Sequence, residues 1–331
     1  MLNPDAHLNP NLFDEDVEKQ PTRNGYGTGL VKAGEKNENV VALCADLTES
    51  TRTKAFADKF PKRYFQIGVA EQAMATVAAG LAVSGKVAFI ASYATFSPGR
   101  NWEQIRTTAA YNYTNVKIAG HHAGISVGPD GATHQAIEDI ATMRSIPRMQ
   151  VMVPVDAVEG EKATMAAAHI FGPVYLRWGR ENTPIMTTEK TPFTPGKATV
   201  FWESENPQVV IIGSGSLLYK GLLAAKALQE EGIGSVVMNL HTIKPIDREA
   251  IVTYAEKCGA VVTIEEHNIM GGVGSAVAEV LAQNLPTPQE FIGMQDTFGE
   301  SGPPDELIAK YGLDEKAVIT AAKKVIGRKL G

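Results

Sequence analysis

Short runs of Val, Ile, Leu and Ala alternate along this chain with longer stretches whose apolar residues recur at helical spacing. VVALCAD is followed by VAEQAMATVAAGLAV, then VAFIASYATF, NWEQIRTTAAYN and VKIAG. Continuous apolar runs bounded by turns predict buried strands, and the segments between them predict helices. The first half therefore reads as strand–helix–strand units, a mostly parallel sheet covered on both faces. Thr133 is a predicted N-cap for a further helix, HQAIEDIATMRS. The pattern breaks over 181–208, where four prolines and a polar mixture predict a linker or peripheral excursion. It resumes with QVVIIGSG, LLYKGLLAAKALQEEG, SVVMNL, DREAIVTYAEKCG, AVVTIEEH and GGVGSAVAEVLAQN. The fold class predicted is α/β with two doubly wound domains: an N-terminal extension over 1–20, a first domain over 21–190 and a smaller second one over 191–331.

The totals agree with two domains and narrow the partners. A chain of 331 residues exceeds the roughly 100–200 of one domain. Its 44% apolar and 21% charged residues are ordinary globular values. The net charge of -6, with basic residues scattered among acids, excludes a nucleic-acid surface. Cys44 and Cys258 stand far apart outside any CxxC or Cys/His spacing, so no disulfide framework or zinc site is expected and a reducing cytoplasm fits best. The polar, acidic start MLNPDAHLNPNLFDEDVEKQ lacks an apolar signal core, and no run approaches the roughly 18 apolar residues of a membrane span. A soluble, intracellular protein is expected.

Ligands of open α/β sheets bind beyond the carboxyl ends of the strands, which directs attention to Asp46, to His121 and His122, and to Arg180. Glu71 opens a helix of small apolar residues. It either complements the helix dipole or, if that helix is buried, must be paired or keep its proton. HHAGISVGPDGATHQ, 121–135, gathers three of the seven histidines with Asp130 and three glycines. The glycines allow close approach to a ligand, and His122, Asp130 and His134 are candidates to line one cavity. An ordinary glycine-rich loop with an Asp130–Gly131 turn is the alternative. A metal site there is disfavoured, because no further ligands lie nearby in sequence. Arg23, Ser50 and Arg180 are isolated in sequence, but two arginines at one sheet mouth would make an anion site. IIGSGSLLYKG carries Leu218 where a dinucleotide fingerprint needs its third glycine, GGVGSA fails similarly, and no Walker loop, HExxH or GxSxG occurs.

The order of the segments is more specific than any one of them. PTRNGYG, ADLTES, IGVAEQAM, ATFSPGRNWEQIR, GISVGPDGATHQ, YLRWGRENTP and DTFGESG together resemble the pyrimidine-binding and C-terminal domains of transketolase, from Arg23 onward. No Gly-Asp-Gly motif of the family's diphosphate-binding domain occurs. The resemblance therefore implies the C-terminal subunit of a split transketolase. Its N-terminal partner subunit would hold the diphosphate of thiamine diphosphate and a Mg or Ca ion, with homodimer contacts between two copies of this chain. It further implies that Glu71 bonds the aminopyrimidine ring and promotes its imino tautomer, and that Phe96 walls the ring's pocket. Trp102 would substitute for family aromatics missing from SPGRNW, and Asp46 would lie near the cofactor. Arg23, Ser50, His122 and Arg180 would hold the sugar phosphate, Asp130 a sugar hydroxyl, and His134 would sit near the reacting carbons. The implied reaction moves a two-carbon ketol unit from a ketose phosphate to an aldose phosphate. Deoxyxylulose phosphate synthase, the beta subunit of a 2-oxo acid dehydrogenase, and a non-catalytic interaction subunit are the alternatives.

Overall fold

The apolar runs pair side by side into two sheets. In the computed structural model, which describes residues 1–329, seven strands form one sheet in the order Thr242–Lys244, Gln150–Met152, Val174–Arg177, Val116–His121, Val87–Tyr93, Val40–Cys44, Tyr64–Gln66. Neighbours are parallel except Thr242–Lys244, which runs antiparallel to Gln150–Met152. The central strands Val40–Cys44 and Val116–His121 are buried at every position, as both-face coverage requires. Five strands form the second sheet, in the order Gln289–Met294, Val261–Asn268, Pro207–Gly213, Gly234–Asn239, Thr199–Glu203, with only the last antiparallel.

Three features depart from the sequence pattern. Residues 181–208 are more than a linker: Asn182–Pro184 pairs with Lys19–Pro21, and Thr199–Glu203 is an edge strand of the second sheet. Being short and half-buried, they leave little periodic signal. Thr242–Lys244 crosses from the second unit to extend the first sheet. Thr133 caps no helix. Residues 132–134 form a turn, Ala136 makes a single parallel bridge with Ala123 and accepts the Gly124 N–H at 2.8 Å, and the helix begins only at Asp139, ending at Arg144.

The two units share a middle layer. One continuous apolar cluster runs from Leu43, Met74 and Ile118 through Val151 and Ile243 to Val210, Met238 and Val273. Each sheet has a further cluster on its other side, and Ala6 and Leu12 of the N-terminal segment join that of the second sheet. Buried apolar contact on this scale holds the units as one body. Behind the first sheet, helix Thr22–Lys36 lies against helix Ala157–His169 so closely that a Cβ at Gly25 would fall 2.0 Å from the Ala157 carbonyl oxygen. The glycines of PTRNGYG thus seat the helix that begins beside Arg23. Among the described residues, no helix is long and apolar enough to cross a membrane.

Candidate functional site

Arg23, in the first turn of its helix, reaches the mouth of the first sheet. Its Nη1 donates to the Ser50 carbonyl at 2.9 Å and lies 3.3 Å from His122 Nε2. Arginine can only donate, so Nε2 accepts and Nδ1 carries the ring proton. His122 adopts a left-handed backbone (φ 52°) that turns its ring flat onto Tyr93, with centroids 3.8 Å apart. Burial first, then Arg23 and Arg180, lower its pKa to about 3, so the imidazole is neutral. The Arg23 pKa is itself lowered, by burial and then by Arg52 and Arg180. Arg180 donates to the Val127 carbonyl at 3.0 Å and to Glu181 at 2.7 Å. His122 Nδ1 and Arg23 Nε are buried donors without partners among the described residues. Unmatched buried donors amid like-charged arginines fit an oxyanion, which would supply the acceptors and the countercharge.

Across the Tyr93 ring lies a second group. Phe96 stacks on Tyr93 at 6.0 Å, and His134 meets both rings edge-on at 6.1 and 5.5 Å. Glu71 is the first residue of helix Glu71–Val83 and is 2% exposed. Its carboxylate accepts one hydrogen bond, from Arg100 Nη1 at 2.7 Å, while Asn101 Nδ2 holds its backbone carbonyl at 3.0 Å. Of the two states the sequence left open, paired or protonated, the structure shows the pair. The Arg100 guanidinium also lies 4.8 Å from the Phe96 ring centre. A flat cation thus sits on an aromatic face while bonded to a buried carboxylate. An aminopyrimidine ring needs the same two surfaces, so Glu71 and Phe96 fit that end of thiamine. For a metal-bound diphosphate the fit stops, since no group of three His, Cys, Asp or Glu gathers among the described residues.

The remaining candidates are placed less centrally. Ser50 meets Arg23 through its carbonyl rather than its hydroxyl. Asp46 is exposed just past strand Val40–Cys44, with φ 59° and its N–H bonded to Gln66 Oε1 at 2.8 Å. Asp130 is exposed at the end of the 3-10 turn Ile125–Asp130. Trp102 donates its indole N–H to the Thr142 carbonyl at 3.2 Å and packs on the shared core. His121 packs behind the site against Tyr26 and Trp178, 4.9 and 6.2 Å between ring centres. Sequence reasoning missed Tyr93, Arg52 and Arg100. Tyr93 ends a strand and could have been found by the same rule that singled out Asp46, but nothing local marked the two arginines. The expectation that the Glu71 helix is buried holds for one face only: Val77 and Val83 are exposed at 43% and 75%.

Comparison with known proteins identifies the fold family. Residues 18–186 match the family profile of the transketolase pyrimidine binding domain, and 196–318 match the transketolase C-terminal domain. The chain is 45% identical over 307 residues to the "Putative transketolase C-terminal section" of Methanocaldococcus jannaschii, covering 92% of this chain and 95% of that one. It is 40% identical over 317 residues to the 6-deoxy-6-sulfo-D-fructose transketolase subunit SqwH of a Clostridium species, covering 96% and 98%. A solved structure titled "Split gene transketolase, inactive beta4 tetramer" superposes with a TM-score of 0.87 at 46% identity, covering 94% of this chain and 99% of that one. The paired domains, the Glu71 and Phe96 surfaces and these relatives lead to one conclusion: the chain belongs to the transketolase family, among the C-terminal subunits of its split members.

Proposed function

We propose that this chain is the C-terminal subunit of a two-chain transketolase that moves a two-carbon ketol unit from a ketose phosphate to an aldose phosphate. The observation that carries the reading is the buried Glu71 carboxylate, held by a single half-exposed arginine that also covers the face of Phe96. Thiamine diphosphate, when bound, supplies the nucleophilic carbon and the electron sink for carbon–carbon cleavage. Glu71 bonds the aminopyrimidine edge and moves a proton there, a task suited to a carboxyl group shielded from water. Phe96 supports the ring face, and Arg100 must yield its place on both surfaces. Asp46 and Trp102 would hold more peripheral places in the cofactor site. Arg23, Arg180 and neutral His122 hold the sugar phosphate with the Ser50 carbonyl behind them, Asp130 takes a sugar hydroxyl, and His134 faces the reacting end. Fixing both ends of the sugar supplies orientation, which is a large part of such catalysis.

The diphosphate and its Mg or Ca ion are assigned to an N-terminal partner subunit. The uncovered apolar face of helix Glu71–Val83 supports a partner at this place, with Ala73, Val77 and Val83 facing out and Gly80 opening onto free space. Two copies of each chain, with contacts between the two copies of this one, complete the proposed assembly. The test is to co-express the chain with a partner bearing the Gly-Asp-Gly motif and assay ketol transfer with thiamine diphosphate and magnesium. Full activity in Glu71→Gln would overturn the mechanism. The name of the Clostridium relative favours a second reading of the substrate, a sugar ending in sulfonate, because an arginine cluster binds either oxyanion. Comparing fructose 6-phosphate with 6-deoxy-6-sulfofructose as donors decides between them.

A further inference from the structure

We infer that Glu266 of the second unit is a positioning residue for the loop that carries His122, Asp130 and His134. The inference rests on the proposed function only for its kinetic consequence. Strand Val261–Asn268 brings Glu266, 7% exposed, across the boundary between the sheets, where Oε1 accepts the Ser126 N–H at 2.5 Å. Ser126 lies between His122 and Asp130. Three more bonds, one within the loop and two to the second unit, hold its far end. Gln135 Nε2 donates to the Ile125 carbonyl at 3.1 Å and to the Glu300 carbonyl at 3.0 Å, and the Asn268 N–H donates to the Ile137 carbonyl at 2.8 Å.

The loop needs external restraint because of its backbone. His122 has φ 52°, and Gly124, Gly128 and Gly131 have φ of 90°, 74° and 75°. A left-handed conformation is unfavourable for histidine and only one option among many for glycine, so the segment alone would sample other shapes. Close approach completes the fit: a Cβ at Gly124 would fall 2.4 Å from Glu266 Oε1, and one at Gly131 would fall 2.5 Å from Ser301 Oγ. The glycines of GISVGPDG thus admit the second unit's side chains as well as a ligand. Glu266 bonds the loop at Ser126, while His122 packs on Tyr93 and His134 on Phe96.

Hydrogen–deuterium exchange of the full chain tests this independently of activity. Glu266→Ala removes the acceptor, and amides in 124–135 should then exchange about ten times faster or more, the loss expected for a bond to a charged group. Glu266→Gln keeps an acceptor and should exchange as the wild type does. In the complex with its partner, Glu266→Ala should raise KM for the sugar phosphate about tenfold, while thiamine diphosphate affinity stays within about twofold. Unchanged loop exchange in Glu266→Ala would overturn the inference, as would acceleration spread evenly over both sheets. If Glu266→Ala does not fold, Glu266→Asp, which keeps the carboxylate but withdraws it by one carbon from the Ser126 N–H, decides: faster exchange confined to 124–135 supports the inference and wild-type protection refutes it. A wild-type complex without ketol transfer would remove the proposed function and leave the exchange result standing.

Discussion

Glu71 and Asp139 are both buried carboxylates paired with arginine, yet their removal should have opposite consequences. Asp139 accepts three side-chain hydrogen bonds, from Tyr175 Oη at 2.6 Å, Arg177 Nε at 2.8 Å and Arg177 Nη2 at 3.1 Å. Arg177 is only 7% exposed and cannot shed its charge, so removing Asp139 strands a buried cation. Burial by itself would raise the Asp139 pKa, but Arg177 and His267 outweigh it and hold the group below its ordinary value. Glu71 accepts one bond, from an Arg100 side chain that is 46% exposed and can turn into solvent. The expected cost is therefore about 3 kcal/mol or more for Asp139→Asn. For Glu71→Gln, which is isosteric and leaves Arg100 free to turn into solvent, it is about 1 kcal/mol or less. Urea denaturation at one protein concentration, with midpoints compared at a common slope, measures both. Ketol transfer with the partner subunit should be lost in Glu71→Gln. A Glu71→Gln chain destabilised by about 3 kcal/mol would refute the reasoning, because Glu71 would then be a structural pair like Asp139.

Other expectations follow from the same geometry. Burial lowers the pKa of His122 to about 3 and of His241 to about 4, and pushes that of His121 well below its usual value. Unfolded histidine takes up protons near pH 6.5, so between that value and the folded ones the unfolded state binds more protons. The His122 contribution to stability should be complete above pH 6.5 and be lost as pH falls below it; because Glu159 and Lys117 also titrate with shifted pKa values, it is read as the difference in urea midpoint between wild type and His122→Asn from pH 7.5 to 5, which should shrink as pH falls. Arg23→Ala removes a charged donor from the anion group and should raise KM for a sugar phosphate about 10- to 100-fold, with a weaker dependence on added salt. An unchanged KM would show that the oxyanion binds elsewhere. Val77→Asp puts a charge on the exposed apolar helix face; it should prevent capture by the N-terminal subunit in a pull-down while leaving the urea midpoint of the chain alone within about 0.5 kcal/mol.

Much of the architecture was legible in the sequence because it rests on local pattern. VVALCA, VAFIASY and VKIAG are short, apolar at nearly every position and bounded by turns, the pattern of strands covered on both faces. The fold class and most helices follow from that, and the strand-end rule led to His122 and Arg180. The chemical candidates followed from residue type. Tertiary structure decided what those residues do together. Residues far apart in sequence, 27 and 99 positions in the bonds from Arg23 to Ser50 and to His122, meet only when strands stack in sheet order. Burial of His122 and the stranded donors beside it depend on that meeting. The pairing of Glu71 with Arg100 over Phe96 depends on how the segment after Tyr93 folds back. The loss of the predicted Thr133 cap has the same origin, since the Ala123–Ala136 bridge outweighs a local preference. Local pattern sets which segments can be strand or helix because backbone and side-chain period act over a few residues. Charge, protonation and the grip of Glu266 on the histidine loop arise from neighbours that the chain brings together only on folding.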